Sequence, residues 1–525
     1  MDYSKMQDPS INTYPSVPVE FPSSSMKNEL IKEDHAGPTN KRKPTNVEFL
    51  VVFGITVAIW LLLNFYCMCN GDLSRLDTKS LQNGTTTNDF KEFATNIRNA
   101  SGEIYLACSS AVVLSALLIV LFRRFAGTIV WFVVGLVLTV MGISTVGAWY
   151  GFFINSVQTA DKGSKLTLDN ESDDNASAGV LVGAVSITFF TLIIAVLIYA
   201  IRKHIRLVIR LFKEGGKVTQ SMPLILAQPF VTFVVLIIVL FLFVYFALWI
   251  ESSGFPQTNE NGVVEYEKND LMNFAAIFNV LVVWWIVQFV IGCQNMVIAG
   301  ATATWYFTRD KTRVNNAIRT SYRYLLKYHL GSVALGSLII TTIQILRRFY
   351  EATMRKNARN IIGCLLSWLL KYIERFFTFL TRNAYIEIAI YGDGFFVSGK
   401  RAFQVLTNNA IKVATINSVG DFVMVLGRLL VTGLAVLIGF LLLQGRSDIT
   451  NSAYPLGVIA IVSFAIVHAF MLAFEMIVDS VFICFCEDCD INDGVQRPYY
   501  MSKEMMVFMN KEDPKVLRVG DAAAE

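Results

Sequence analysis

The run from Leu271 to Arg313 constrains this chain more than any other stretch. It begins apolar, carries the paired tryptophans Trp284 and Trp285, and sets the amides Gln288, Gln294 and Asn295 at helical positions. It closes on a wet basic end, Thr308-Arg309-Asp310-Lys311-Thr312-Arg313. A helix needs about 20 mostly apolar residues to cross the hydrocarbon core of a bilayer, and this run is long enough. An unpaired polar group buried in hydrocarbon is costly, so the three amides are expected to face other helices or a water-filled path.

Composition rules out a soluble globule: 54% of the 525 residues are hydrophobic and 16% are charged, with a mean hydropathy of +0.50. The expected fold is all-α, a polytopic membrane helical bundle of about ten transmembrane helices with both termini cytoplasmic. The formal net charge of +4 says little in total, but its placement orients the chain. Residues 1–47 are polar and rich in Pro and Ser, which reads as a disordered cytoplasmic tail without a signal peptide. Lys41-Arg42-Lys43 stands directly before the first apolar run, Phe49 to Met68, and puts that end inside.

Residues 48–485 form the expected transmembrane domain. The segment 69–103 reads as an outer loop with the glycosylation acceptors Asn83 and Asn99, and 155–177 as a second with Asn170 and Asn175. Charge counting places both loops outside independently of the acceptors. Runs at 104–122, 129–154 and 178–201 alternate between them, with Arg123-Arg124 and a basic series from Arg202 to Lys217 on the inner side. A run at 224–250 begins at Gln228-Pro229-Phe230, where Pro229 is expected to kink a helix. An acidic outer loop, 251–270, precedes the Leu271 run, and a basic inner region, 299–328, follows it.

Residues 329–417 leave two readings open. His329 to Leu346 is short and Gly-rich, and Ile361 to Ile390 is amphipathic. If both cross, the basic patch from Arg347 to Arg359 sits outside, against the charge rule; if they form a re-entrant unit, it stays inside. Two crossings are favoured. Runs at 419–443 and 453–485 are long and clear, and 486–525 reads as a cytoplasmic tail. No repeat of fixed 20 to 50 residue period is visible.

His329-Leu330-Gly331-Ser332-Val333-Ala334-Leu335-Gly336-Ser337 resembles the choline transporter-like family, and the likeness extends from there. Tyr306 to Lys311, Arg382-Asn383-Ala384-Tyr385-Ile386, Ile388 to Gly392, Ala414 to Phe422, Glu475 to Asp479, Asn492-Asp493-Gly494 and Pro498 to Met501 are similar to its ordered signatures. The resemblance implies ten transmembrane helices with cytoplasmic termini. It also implies movement of choline, or of ethanolamine or a related amine, without sodium dependence. Two features depart from the family: the first outer loop is short, and Gln288 stands where some choline-carrying members have a carboxylate.

A quaternary amine cannot donate hydrogen bonds, so a site must hold it by aromatic faces and an oxygen of negative potential, each face contributing about 0.5–2 kcal/mol. The candidate substrate-binding residues are Trp284, Trp285, Gln288, Gln294 and Asn295, with Trp131, Trp149 and Tyr105 beside Glu103. For any one tryptophan at a membrane edge, the ordinary interfacial belt competes with a cage. Glu475 and Asp479, spaced i, i+4, share a helix face. They are either a gating or proton-linked pair or a structural pair held by a neighbouring Arg or Lys. His468 is the one histidine in a clear run and joins them as a candidate titrating group.

Eight cysteines include an outer group, Cys67, Cys69 and Cys108, and an inner one, Cys484, Cys486 and Cys489. A Cys69–Cys108 disulfide is one expectation for the outer group. The inner thiols lack a second ligand pair at zinc spacing, so no metal and no cofactor are expected, and acylation is the competing fate. No phosphate loop and no hydrolase or metalloprotease motif is present, so the chain is not expected to be an enzyme. The expected partners are choline or a related organic cation and the lipid bilayer, with no nucleic acid; the expected location is the plasma membrane, with mitochondrial and internal membranes as alternatives. A non-transporting membrane scaffold or surface protein is the competing functional class.

Overall fold

A computed structural model describes residues 38–39, 41–74, 87–163, 170–258, 264–311, 314, 316–354, 361–444, 446, 449, 451–492 and 497–506. The chain is an all-α polytopic membrane protein. Helices run over Val47–Cys69 (α1), Thr87–Asn99 (α2), Ser101–Gly163 (α3), Asn170–Ser221 (α4), Gln228–Ser252 (α5), Asp270–Phe307 (α6), Ala317–Tyr324 (α7) and Leu330–Met354 (α8). They continue through Ile361–Tyr391 (α9), Phe395–Asn408 (α10), Ala410–Thr415 (α11), Asp421–Leu443 (α12) and Ala453–Ile491 (α13). Among the described residues, seven helices are long and apolar enough to cross a membrane, and shorter apolar stretches lie at Leu138–Ile154 and Leu181–Val196. Their outward faces stay apolar, as at Leu62, Phe65, Val196 and Phe241, because hydrocarbon rather than water covers them.

Helix α6 is the axis. Asn269 caps it, its side chain accepting from the Met272 amide at 2.9 Å, and Asp270 adds negative charge to its first turn. From Gly292 to Phe307 nearly every residue is buried, on all sides of the helix. Small residues allow that enclosure: a Cβ at Gly292 would stand 2.8 Å from Val333 and 3.1 Å from the Tyr385 hydroxyl. Lys311 closes the inner end by donating to the Trp305 and Tyr306 carbonyls at 2.8 and 2.5 Å, carbonyls that the helix itself leaves open.

Several expectations from sequence are revised. Pro229 does not kink a helix; it sits in the first turn of α5, after a 3₁₀ turn over Pro223–Ala227, where the missing N–H costs nothing. The expected turn after Arg124 is a sharp bend inside α3, where Phe125 leaves helical geometry (φ −118°, ψ 15°) and the second half of α3 pairs antiparallel with α4. The acidic segment 251–270 contains an antiparallel hairpin, Phe255–Thr258 with Val264–Glu267, registering Phe255 against Glu267.

Helices α8 and α9 form an antiparallel hairpin. Tyr350 donates to the Gly363 carbonyl at one end, and Tyr385 donates to the Val333 carbonyl at 3.3 Å at the other. Arg347, which troubled the charge rule, is neutralised by Glu351 at 2.7 Å and by Glu374 across the hairpin.

Candidate substrate path and its closures

The ring and amide groups of α6 divide into two layers. In the outer layer Trp284 Nε1 and Gln288 Nε2 both donate to Gln344 Oε1 of α8, at 2.8 and 3.0 Å. Trp285 donates to Ser337 Oγ at 3.1 Å, and Phe53 of α1 meets its ring edge-on at 5.0 Å while stacking on Phe289 at 4.4 Å. The i, i+4 spacing therefore brings Trp284 and Gln288 to one partner, as helical periodicity requires. Gln344, which sequence reasoning passed over, is the acceptor that holds them; a glutamine in an apolar run is the signal that marked it.

The inner layer contains buried amide and hydroxyl oxygens that find no donor among the described residues. Gln294 and Asn295 are both buried, and the Asn295 side-chain oxygen has no hydrogen-bond donor among the described residues. Thr302 Oγ1, farther down α6, is equally alone. Glu387 of α9 is fully enclosed, its carboxyl group set against that of Glu487 of α13. Helices α6 and α9 run side by side here, since a Cβ at Gly300 would lie 3.9 Å from the Ala389 Cβ. Sequence reading had counted Glu387 only as one charge of an amphipathic run. Its setting between Ile386 and Ile388, in the most apolar part of that run, was the available signal.

A charged lock ties α9, α12 and α13 together. Arg382 Nη1 donates to Glu475 at 2.6 Å and Arg382 Nη2 to Asp479 at 2.9 Å, while Arg428 reaches the second Glu475 oxygen at 3.2 Å. Glu475 and Asp479 do share a face. Their cations come from two helices, not from a loop, because a half-buried carboxylate pair holds its charge only against partners that are shielded with it. His468 lies on the exposed side of α13, stacked parallel to Phe464 at 6.1 Å.

The end of the bundle expected to face the cytoplasm is closed by residues assigned above to a disordered tail. Arg42 donates to the Ile388 and Ala389 carbonyls at 3.3 and 2.5 Å, pairs with His329 at 3.0 Å and lies over the Tyr324 ring. Thr45 bonds the Tyr328 carbonyl and Ser332, and Asn46 Oδ1 accepts from Ser332 and from the Phe395 amide. Gly331 leaves room for this strap, since a Cβ there would stand 2.2 Å from the Asn46 carbonyl oxygen. Burial holds the Arg42 guanidinium below its ordinary range, at about 10. A cavity of about 20 Å³ remains between Arg42, Met296, Gly300, Tyr324 and His329, enough for a water molecule but not for a quaternary amine.

The C-terminal segment 497–506 seals the same side. Asp488 accepts from the Tyr306 hydroxyl at 3.1 Å and from the Tyr500 and Met501 amides at 2.9 Å each, and Ser502 donates to Glu214 at 2.6 Å. Cys484 and Cys486 are buried above this joint. Among the described residues no group of His, Cys, Asp and Glu is arranged to hold a metal ion.

Other sequence candidates stand apart from both layers. Trp131, Trp149 and Tyr105 are 47%, 41% and 74% exposed, and Trp149 donates to Thr188 within the peripheral α3–α4 pair. Glu103 is engaged by Arg446. Cys69 and Cys108 are both free thiols, so the expected disulfide is absent; Ser463 contacts the Cys108 sulfur at 4.0 Å. Asn99 ends α2 with its carbonyl bound to Arg446, Asn170 and Asn175 lie in the first turns of α4, and Asn83 falls outside the described residues.

Residues 185–490, more than half of the chain, match the family model described as plasma-membrane choline transporter. The chain belongs to the choline transporter-like family. It is 34% identical over 427 residues to choline transporter-like protein 1 of Xenopus laevis, covering 80% of this chain and 65% of that protein. The match to choline transporter-like protein 1 of Mus musculus is 35% over 434 residues, covering 81% and 66%. A relative outside the animals, choline transporter-like protein 2 of Dictyostelium discoideum, is 31% identical over 444 residues, covering 82% and 69%. This choline transporter-like chain thus spans just under two thirds of the length of its vertebrate relatives. The segments that carried the resemblance sit at its closures: His329 to Ser337 beneath the strap, Arg382 and Glu475 to Asp479 in the lock, and Pro498 to Met501 on Asp488.

Proposed function

We propose that this chain carries choline, or ethanolamine or a related amine, across the plasma membrane by sodium-independent alternating access. Ten crossings with both termini in the cytoplasm complete the reading. The observation that supports it most is a set of buried polar groups: Asn295 Oδ1 and Thr302 Oγ1 on α6 have no hydrogen-bond partner among the described residues, and Glu387 on α9 is enclosed against Glu487. Buried polar atoms without partners are rare in proteins, and sites for ligand or water are a usual reason for them. A methylated cation that cannot donate hydrogen bonds needs oxygens and ring faces of this kind in exchange for its hydration shell.

In this reading Trp284, Trp285 and Gln288 form the outer approach, with Gln294 and Asn295 deeper on the same helix. The arginine–carboxylate lock at Glu475 and Asp479 and the Arg42 strap are the elements that must move for the inner side to open. Trp131, Trp149 and Tyr105 face the bilayer as belt residues and drop out of the site. Uptake of radiolabelled choline into vesicles reconstituted with the full chain tests the proposal. Saturable uptake, independent of sodium and lost in Asn295→Leu and Glu387→Leu, is expected. Flux no greater than in empty vesicles defeats it and leaves the scaffold reading.

A further inference from the structure

A second cavity, of about 260 Å³, lies away from the substrate path, between α8, α9 and α10. Its walls are Ile339, Phe377, Leu380, Phe395 and Phe403, and Lys400 stands at its edge. Helix α10 is amphipathic in an unusual sense. It buries Phe395, Ser398, Ala402, Val405 and Leu406, and it turns Phe396, Val397 and Phe403 outward at 65%, 52% and 47% exposure. A helix with bulky apolar side chains on the outside and an exposed cation among them suits a membrane interface, with its rings in hydrocarbon and its charge at headgroup level.

The two basic residues of α10 differ. Arg401 is occupied, pairing with Asp393 at 3.1 Å and lying 4.0 Å over the Tyr391 ring. Lys400 is exposed and makes no ion pair among the described residues. An apolar cavity that opens beside an unpaired cation at headgroup level matches a molecule with a hydrocarbon chain and an anionic head. We infer that this cavity holds one acyl chain of an anionic phospholipid of the inner leaflet, its phosphate paired with Lys400. Thr381 and Ala384 line the cavity, Thr381 just before Arg382 of the lock and Ala384 just before Tyr385, so the lipid seats against the part of α9 that carries both.

The inference does not depend on what the chain transports. Native mass spectrometry of the full chain in detergent, supplied with equal phosphatidylglycerol and phosphatidylcholine, tests it. One phosphatidylglycerol is expected to remain bound per chain, with at least tenfold preference over phosphatidylcholine. Lys400→Glu should abolish that preference, Lys400→Arg should keep it, and Lys503→Glu, an equal charge change elsewhere, should leave it intact. Gly399→Phe should lower occupancy by both lipids, because a Cβ there meets only Ala384 at 3.9 Å and the larger side chain enters the cavity. Should Gly399→Phe fail to fold, the Lys400 variants still decide. Equal retention of the two lipids by the unaltered chain, preference that survives Lys400→Glu, or displacement by a sterol overturns the inference.

Discussion

Arg382→Gln is the sharpest test of the charged lock. The substitution takes the only ion-pair partner of Asp479 among the described residues and leaves Glu475 with Arg428 at 3.2 Å. Side-chain exposure at Arg382, Glu475 and Asp479 is 15%, 19% and 13%, so solvent does little to screen the orphaned charge. Removing one partner of such a pair costs about 3–5 kcal/mol, most of it the penalty of the remaining carboxylate. The double variant Arg382→Gln, Asp479→Asn removes both charges and leaves two amides able to bond each other, which should cost only about 1–2 kcal/mol.

Arg348, 60% exposed and 3.9 Å from Glu351, serves as the control, and Arg348→Gln should stay within about 0.5 kcal/mol of the parent. Unfolding of the purified chain in mixed micelles titrated with dodecyl sulfate, followed by tryptophan fluorescence, gives the four free energies of the cycle. The decisive result is the order: the double variant must be more stable than Arg382→Gln alone. If the double variant costs the sum of the two single changes, or if Arg382→Gln costs no more than Arg348→Gln, the lock contributes nothing and the argument fails.

Three further outcomes are expected. Gln344→Leu removes the shared acceptor of Trp284 and Gln288 and should cost about 2 kcal/mol in the same unfolding assay while lowering choline uptake. Gly331→Ala should expel the strap, because its Cβ would stand 2.2 and 2.6 Å from the Asn46 and Thr45 carbonyl oxygens. A reporter Thr45→Cys should then react with a permeant maleimide at least tenfold faster, and an unchanged rate would show that the strap does not depend on this contact. Lys311, chiefly through burial, is held at about 8, below its ordinary value, with Glu214 and Asp488 opposing the shift. Between pH 8 and its ordinary range the unfolded chain binds more protons than the folded one, so stability should rise with pH across that window. Lys311→Met should flatten this slope in thermal melts, and a slope identical to the parent's would exclude Lys311 as its source.

Hydropathy and the positive-charge pattern were enough to find the long apolar helices, because crossing hydrocarbon imposes a length and a composition on each segment separately, but not the shorter helices Thr87–Asn99, Ala317–Tyr324 and Phe395–Asn408. Periodicity was enough to put Glu475 with Asp479 and Trp284 with Gln288. It was silent on partners, since Arg382, Arg428 and Gln344 lie between 47 and 97 residues from the groups they bind. Residues 38–46 misled for the opposite reason. Their composition is that of a tail, and partners distant in sequence, among them the carbonyls of Tyr328, Ile388, Ala389 and Ile390, give their polar groups a reason to order.

The family likeness and the all-α membrane class were therefore properties of local sequence. Each follows from what a short segment does against lipid or water, whatever surrounds it. Which buried polar groups are paired and which remain open was decided only by packing. A carboxyl group such as Glu387 has no fate of its own until packing chooses its neighbour, here the Glu487 carboxyl of α13.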